Sequence, residues 1–172
     1  VATYSNTGGE SLEKVNFETS NAIQAANYDK PYIWTNATDT VGKIDYLVDG
    51  KIGEDENYFQ TNSGEYIEVF LGNNLYNVTN LRFRYHTRSS CDSGFPDEIK
   101  VDGVWEYDSE GNLSPENEKF PQTIYVANGL PQEANKSFTS EIIYNGTSWY
   151  NYIRFYINSD DPSWHMGEFE LF

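Results

Sequence analysis

The 172-residue chain carries 27 acidic against 11 basic side chains, a net charge of -16, which leaves no basic stripe to neutralise phosphates and makes nucleic acid and acidic membranes poor partners. Its one cysteine, Cys91, rules out an intramolecular disulfide and a zinc-thiolate cluster, and no apolar run is long enough to cross a bilayer. Aromatic residues reach 16% while hydrophobic residues total only 38%, so the expectation is one domain whose core rests on large rings as much as on aliphatics.

In chain order, residues 1–10 (VATYSNTGGE) are small, polar and glycine-containing, and read as a linker or a loosely held first segment. The domain is expected over residues 11–172. Only Asn21 to Asn27 has helix-compatible composition, and it is too short to stand alone. Lys30 to Thr38 reads as a loop carrying Trp34. Tyr46 to Thr61 opens with an Asp49-Gly50 turn and is dense in hard oxygen donors, the ligand type that calcium requires. Such a site would staple the loop.

Strand-like segments follow at Tyr66 to Leu71, Leu81 to Tyr85, Glu98 to Val101, Gln122 to Val126, Ser140 to Tyr144, Tyr152 to Ile157 and Gly167 to Phe172. Turn clusters such as Gly72-Asn-Asn74, Asp108 to Asn112 and Asn145-Gly-Thr147 separate them. Asp102 to Gln122 is polar and turn-rich, which predicts a large surface excursion. Within it Asp108 to Glu116 faintly suggests a calcium loop, but the sixth position lacks Gly and the twelfth is Lys119, so it reads as an ordinary turn. Sequons begin at Asn36, Asn77, Asn112, Asn135 and Asn145 and are attributed to composition. The closing stretch reads as a hairpin of two alternating strands around a polar loop that holds Trp164 and His165. Many strands with turns about every ten residues make an all-β sandwich.

No catalytic set can be assembled. His86 lies five residues before Cys91, but a thiol and an imidazole still need an orienting group and an oxyanion hole. With 27 acidic residues, some carboxylate pair is inevitable and selects nothing. Sugar binding needs a flat apolar ring and rigid donors or acceptors for hydroxyls. Trp34 and Trp164 are the stacking candidates, each with a core position as the alternative. His86 and Arg88 stand where the strand Leu81 to Arg88 runs into a polar loop. A planar guanidinium can fix two hydroxyls at once, with a loop ion pair to Asp92 or Asp97 as the alternative.

Val48-Asp-Gly50, Asn57-Tyr-Phe-Gln-Thr61, Glu65 to Gly72, Phe95-Pro-Asp-Glu-Ile-Lys-Val101 and the closing Tyr-Ile-Arg-Phe-Tyr-Ile with Gly-Glu-Phe-Glu-Leu-Phe together resemble the discoidin, or coagulation-factor C-type, domain. More narrowly, they resemble family 32 carbohydrate-binding modules of secreted bacterial glycosidases. The resemblance runs from about Ser11 to the end and rests on the order and spacing of the five motifs. It implies an eight-stranded β-sandwich of jelly-roll topology, galactose-binding-domain-like and non-catalytic, with a shallow sugar site in loops at one end.

The implied ligand-binding residues are Trp34, His86, Arg88, Phe95 and Trp164. A structural calcium ion is implied as well, held by the carbonyl of Tyr46, the side chain of Asp49, Asn57, the carbonyl of Gly167 and the side chain of Glu168. Lys51 stands where relatives carry Asp or Asn, and the loop to Asn57 is longer by about three residues, so Asp55, with Glu54 or Glu56, enters as a replacement donor. The expected function is that of an ancillary module of a larger secreted or surface-attached bacterial enzyme, such as a glycoside hydrolase or a mucin-targeting protease. It would be monomeric by itself and joined to sister domains. Its partners would be galactose or N-acetylhexosamine termini, without nucleic acid or membrane insertion. An adhesion domain recognising protein or lipid through the same loops is the alternative.

Overall fold

Alternation of apolar and polar residues, where it is sustained, becomes strand in the computed structural model, which describes residues 17–19, 32–52, 57–71, 81–106, 119–141 and 150–172. In chain order these residues form β1 (Glu18–Thr19), β2 (Tyr32–Thr35), a 3-10 segment (Ile44–Val48), β3 (Phe59–Asn62), β4 (Tyr66–Phe70), β5 (Arg82–His86) and β6 (Glu98–Glu106). β7 (Lys119–Ala127), β8 (Ser137–Glu141), β9 (Tyr152–Asn158), β10 (Ser163–Met166) and β11 (Glu168–Leu171) follow. The expected helix at Asn21 to Asn27, the turn at Asp108 to Glu116 and the first ten residues lie outside the described residues.

Three expectations about the strands need correction. Tyr32–Thr35, Phe59–Asn62 (the end of the segment expected as a loop from Tyr46 to Thr61) and Ser163–Met166 are strands, not loops. Each has four residues, too few for a period of two to stand out from its polar flanks. The excursion after Val101 begins later than expected, because β6 continues through Asp102-Gly103 to Glu106. Gly103 lies in that segment for a packing reason, since a Cβ there would lie 2.5 Å from the Tyr150 ring, which occupies the space its side chain would fill. The closing stretch is no hairpin, since β9 and β11 belong to different sheets.

The large sheet has the order β1-β2-β4-β9-β6-β7, antiparallel except where β1 meets β2. A three-stranded antiparallel sheet, β11-β5-β8, and the pair β10-β3 complete the sandwich among the described residues. β10 and β11 are one run broken at Gly167, where the chain passes from pairing with β3 to pairing with β5. The eight strands implied by the resemblance therefore appear as eleven shorter segments among the described residues.

The inner faces supply the core. Ile33, Ile67, Val69, Ile99, Val101, Ile153, Phe155 and Ile157 from the large sheet pack with Phe83, Tyr85, Phe169 and Leu171 from the small one. Phe155 lies 5.3 Å from Phe83 and 5.0 Å from Phe169, centroid to centroid, so the two sheets are joined through rings as the composition predicts. Each such ring contributes about 1.5–3 kcal/mol by leaving water.

The outer face of the large sheet is polar and aromatic. Glu68 of β4 sits opposite Arg154 of β9, and Arg154 Nε donates to Glu68 Oε2 at 2.6 Å. Trp34 Nε1 donates to the other carboxylate oxygen at 3.0 Å, and Arg154 lies 4.3 Å from the Tyr66 ring centroid. Glu68 is fully buried and Arg154 nearly so. Burial pulls the Arg154 guanidinium down, but the charge of Glu68 and hydrogen bonds to Tyr156 and Glu68 outweigh it and hold the group above its ordinary range.

Candidate ligand-binding site at the loop end

β5 ends at His86, and Thr87 ties the next residues to the loop before β8. Its amide donates to Lys136 O at 2.8 Å and its hydroxyl to Glu133 O at 2.9 Å, while Lys136 N donates back to the hydroxyl at 2.8 Å. Arg88 O then accepts the Asn135 amide at 2.7 Å, with Asn135 itself at φ +57°. Held by these bonds, the Arg88 guanidinium lies over the Tyr58 ring, 3.6 Å from its centroid. Stacking of this kind fixes a planar fork of N–H donors beside an aromatic face.

Behind Tyr58 stands His165 of β10. Its ring is edge-on to Tyr58 at 6.5 Å and to Phe95 at 5.5 Å. The His165 amide donates to Gly94 O at 2.9 Å, and its Nε2 lies 2.6 Å from Ser93 O. Gly94 N donates to Asp161 Oδ2 at 2.7 Å, and Ser159 Oγ donates to Phe95 O at 2.8 Å. The segment Ser93 to Phe95 is thereby sewn to the chain between β9 and β10. Burial holds the His165 imidazole below its ordinary range. The bond to the Ser93 carbonyl opposes that shift, and the nearby charge of Arg88 adds to it. Burial and the Arg88 charge thus both favour the neutral ring.

Gly94 is required twice over. Its φ is +80°, and a Cβ would lie 2.8 Å from His165 Cδ2. Gly94→Ala is expected to destabilise the domain by about 1–3 kcal/mol, read as a lower melting temperature. A melt equal to wild type would mean that the loop reshapes freely around the methyl group.

The sequence-predicted residues are distributed over four environments. Arg88 is at the loop end and half-buried. Phe95 is there too, but at 4% exposure its ring supports His165 and offers no open stacking face. Trp164 is a correction, because it is 0% exposed, 5.6 Å from Phe59 and part of the core. Its neighbours Phe59 and Met166 bury the indole that was expected to stack on sugar. His86 is another correction. Its Nε2 lies 3.1 Å from Glu170 Oε2, the same oxygen that Arg84 Nε approaches at 2.5 Å, so it belongs to the outer face of the three-stranded sheet. Trp34 is on β2, bonded to Glu68, within the outer-face network of the large sheet and not in a loop.

Tyr58 and His165 are site residues that sequence reasoning does not single out. One signal was present for His165. Trp164 and Met166 lie on the same face of an alternating strand, so if they are core, His165 must face the other way.

The expected calcium cradle is assembled in part. The 3-10 segment Ile44–Val48 delivers Asp49 and Gly50, the latter at φ +78°, to the start of β11. There Gly50 N donates to Glu168 Oε1 at 3.1 Å. Glu168 is 0% exposed, and a carboxylate so buried demands compensating charge or donors. Asp49 is exposed, with Oδ1 accepting Lys51 N at 2.9 Å, and Asn57 is half-buried. Asp55 lies outside the described residues. Among the described residues no three His, Cys, Asp or Glu side chains cluster, so a cation beside Glu168 would depend on carbonyl oxygens such as those of Tyr46 and Gly167.

No protein-family model matches the sequence, and no curated protein does. Solved structures do match. A family 32 module from Clostridium perfringens in complex with GalNAc-β-1,3-galactose superposes with a TM-score of 0.54 at 14% identity, over 81% of this chain and 94% of that one. The family 32 module of NanJ from C. perfringens, in complex with galactose, gives 0.52 at 14% identity, over 82% and 92%. An F5/8 type C domain from Bacteroides fragilis gives 0.55 at 15% identity, over 82% and 89%. The chain is therefore a discoidin-like β-sandwich, built on the fold that family 32 carbohydrate-binding modules and F5/8 type C domains share.

Proposed function

We propose that the chain is a non-catalytic carbohydrate-binding module that takes terminal galactose or N-acetylhexosamine residues at the loop end carrying Arg88, as an ancillary part of a larger secreted or surface-attached bacterial glycan-active enzyme. The observation that carries this reading is the Arg88 guanidinium lying over the Tyr58 ring, 3.6 Å from its centroid, on loops pinned from two sides. A fork of N–H donors bonds two adjacent hydroxyls, and the ring beneath the guanidinium holds that fork in place. The neighbours of known structure that hold galactose and GalNAc-β-1,3-galactose support the ligand class. A site of this kind buries few atoms, so single-site binding is weak and tandem modules would raise it through effective concentration.

Titration calorimetry with galactose and N-acetylgalactosamine, after a glycan array, is the test. Arg88→Ala and Tyr58→Ala are each expected to weaken binding by about tenfold or more, with the melting temperature little changed. Wild-type affinity in Arg88→Ala, or an array without signal, counts against the reading.

A calcium ion at the Asp49-Gly50 turn belongs to the same proposal, with Tyr46, Asp49, Asn57, Gly167 and Glu168 as its holders and electrostatic compensation of the buried Glu168 as its contribution. Calcium at a hundred times its dissociation constant would add about 2.7 kcal/mol to stability. A chelator is then expected to lower the melting temperature and added calcium to restore it. An unchanged melt would remove the metal from the proposal.

A further inference from the structure

We infer that His165 is a positioning residue of the loop-end site, holding the Ser93 to Phe95 wall and the Tyr58–Arg88 wall in register through an Nε2–H bond to the Ser93 carbonyl. This inference rests on the reading of the loop end as the ligand site. The ring touches both walls, with Phe95 at 5.5 Å on one side and Tyr58 at 6.5 Å on the other. Its own amide bonds Gly94 O and its Nε2 meets Ser93 O, so one residue fixes two successive carbonyls.

The tautomer follows from the chemistry of the contact. A carbonyl oxygen only accepts, so at 2.6 Å from Ser93 O the nitrogen Nε2 must carry the proton. The opposite tautomer would place two acceptors in contact there. It would also put an N–H at Nδ1, a buried atom with no hydrogen-bond partner among the described residues. At 4% exposure the imidazole is out of reach of a shallowly bound sugar and acts only through what it holds. Gly94 leaves the ring the space it needs, since a Cβ at that position would come within 2.9 Å of Nε2.

Glutamine and asparagine separate this role from simple filling of space. The amide nitrogen of Gln reaches the place of Nε2, whereas that of Asn reaches only the place of Nδ1. His165→Gln is expected to keep affinity for galactose and N-acetylgalactosamine within about threefold of wild type, and His165→Asn to lose about tenfold or more. Long-range ring-nitrogen NMR correlations on the wild-type protein at pH 7.5 (about one unit above the ordinary imidazole range) should report the Nε2–H tautomer. The amide resonances of Gly94 and Phe95 should move in the Asn variant and stay in place in the Gln variant. An Nδ1–H tautomer in the wild type, or equal behaviour of the two variants, overturns the inference. If the wild-type protein binds neither sugar, the sugar reading fails while the tautomer and the amide resonances still decide the role of His165. The wild-type tautomer decides the matter even where the Asn variant does not fold.

Discussion

Trp164→Ala is expected to cost about 3–5 kcal/mol of stability, because the indole is wholly buried against Phe59 and truncation leaves a cavity that strand backbone cannot close. For a domain of this size that amounts to a fall in melting temperature of roughly 6–20 °C. Thermal denaturation followed by circular dichroism measures it directly. Any loss of sugar binding in this variant would accompany loss of the fold, in contrast to Arg88→Ala, where binding is lost from a folded domain. A melting temperature equal to wild type would show that the indole is not part of the core.

Glu68→Ala is expected to be comparably severe, at about 3–5 kcal/mol, since it strands the Arg154 guanidinium in a buried position without its counter-charge. It also removes the acceptor of the Trp34 indole N–H. Replacing Glu68 and Arg154 together by leucine and methionine should be far milder, because the desolvation cost of both charges disappears with the pair. Urea titration of the single and double variants distinguishes these outcomes. Additive losses in the double variant would mean that the two side chains stabilise the sheet independently and that the ion pair carries no coupling.

Much of the fold is legible in period-two patterns. Ile153, Phe155 and Ile157 share one face of β9, and Phe83 and Tyr85 share one face of β5, as their spacing in the chain requires. The assignment of strands to sheets is not legible, because the side-chain period is the same whichever partner a strand takes. Tyr152–Asn158 and Glu168–Leu171 therefore resemble a hairpin in sequence, although they lie in different sheets. Short strands are hard to read from sequence for a related reason. β2 and β10 have only four residues each, and the polar neighbours of Trp34 and Trp164 suggested loops.

The site divides along the same line. Arg88 could be placed at the end of an alternating strand from its neighbours alone, and the Asp49-Gly50 turn from its composition. Trp164, His165 and Met166 form a strand in which both faces are buried, so hydrophobicity does not tell which of the first two faces the core. The pairing of β10 with β3 decides it, by setting Trp164 against Phe59 and turning His165 toward Gly94, Phe95 and Tyr58. Propensity, period and charge are local properties, and they suffice for an aromatic-cored all-β domain, an arginine at the end of an alternating run and an acidic turn. That Tyr58 and His165 stand behind Arg88, and that Trp164 does not, follows from the register of neighbouring strands, which brings together residues dozens of positions apart.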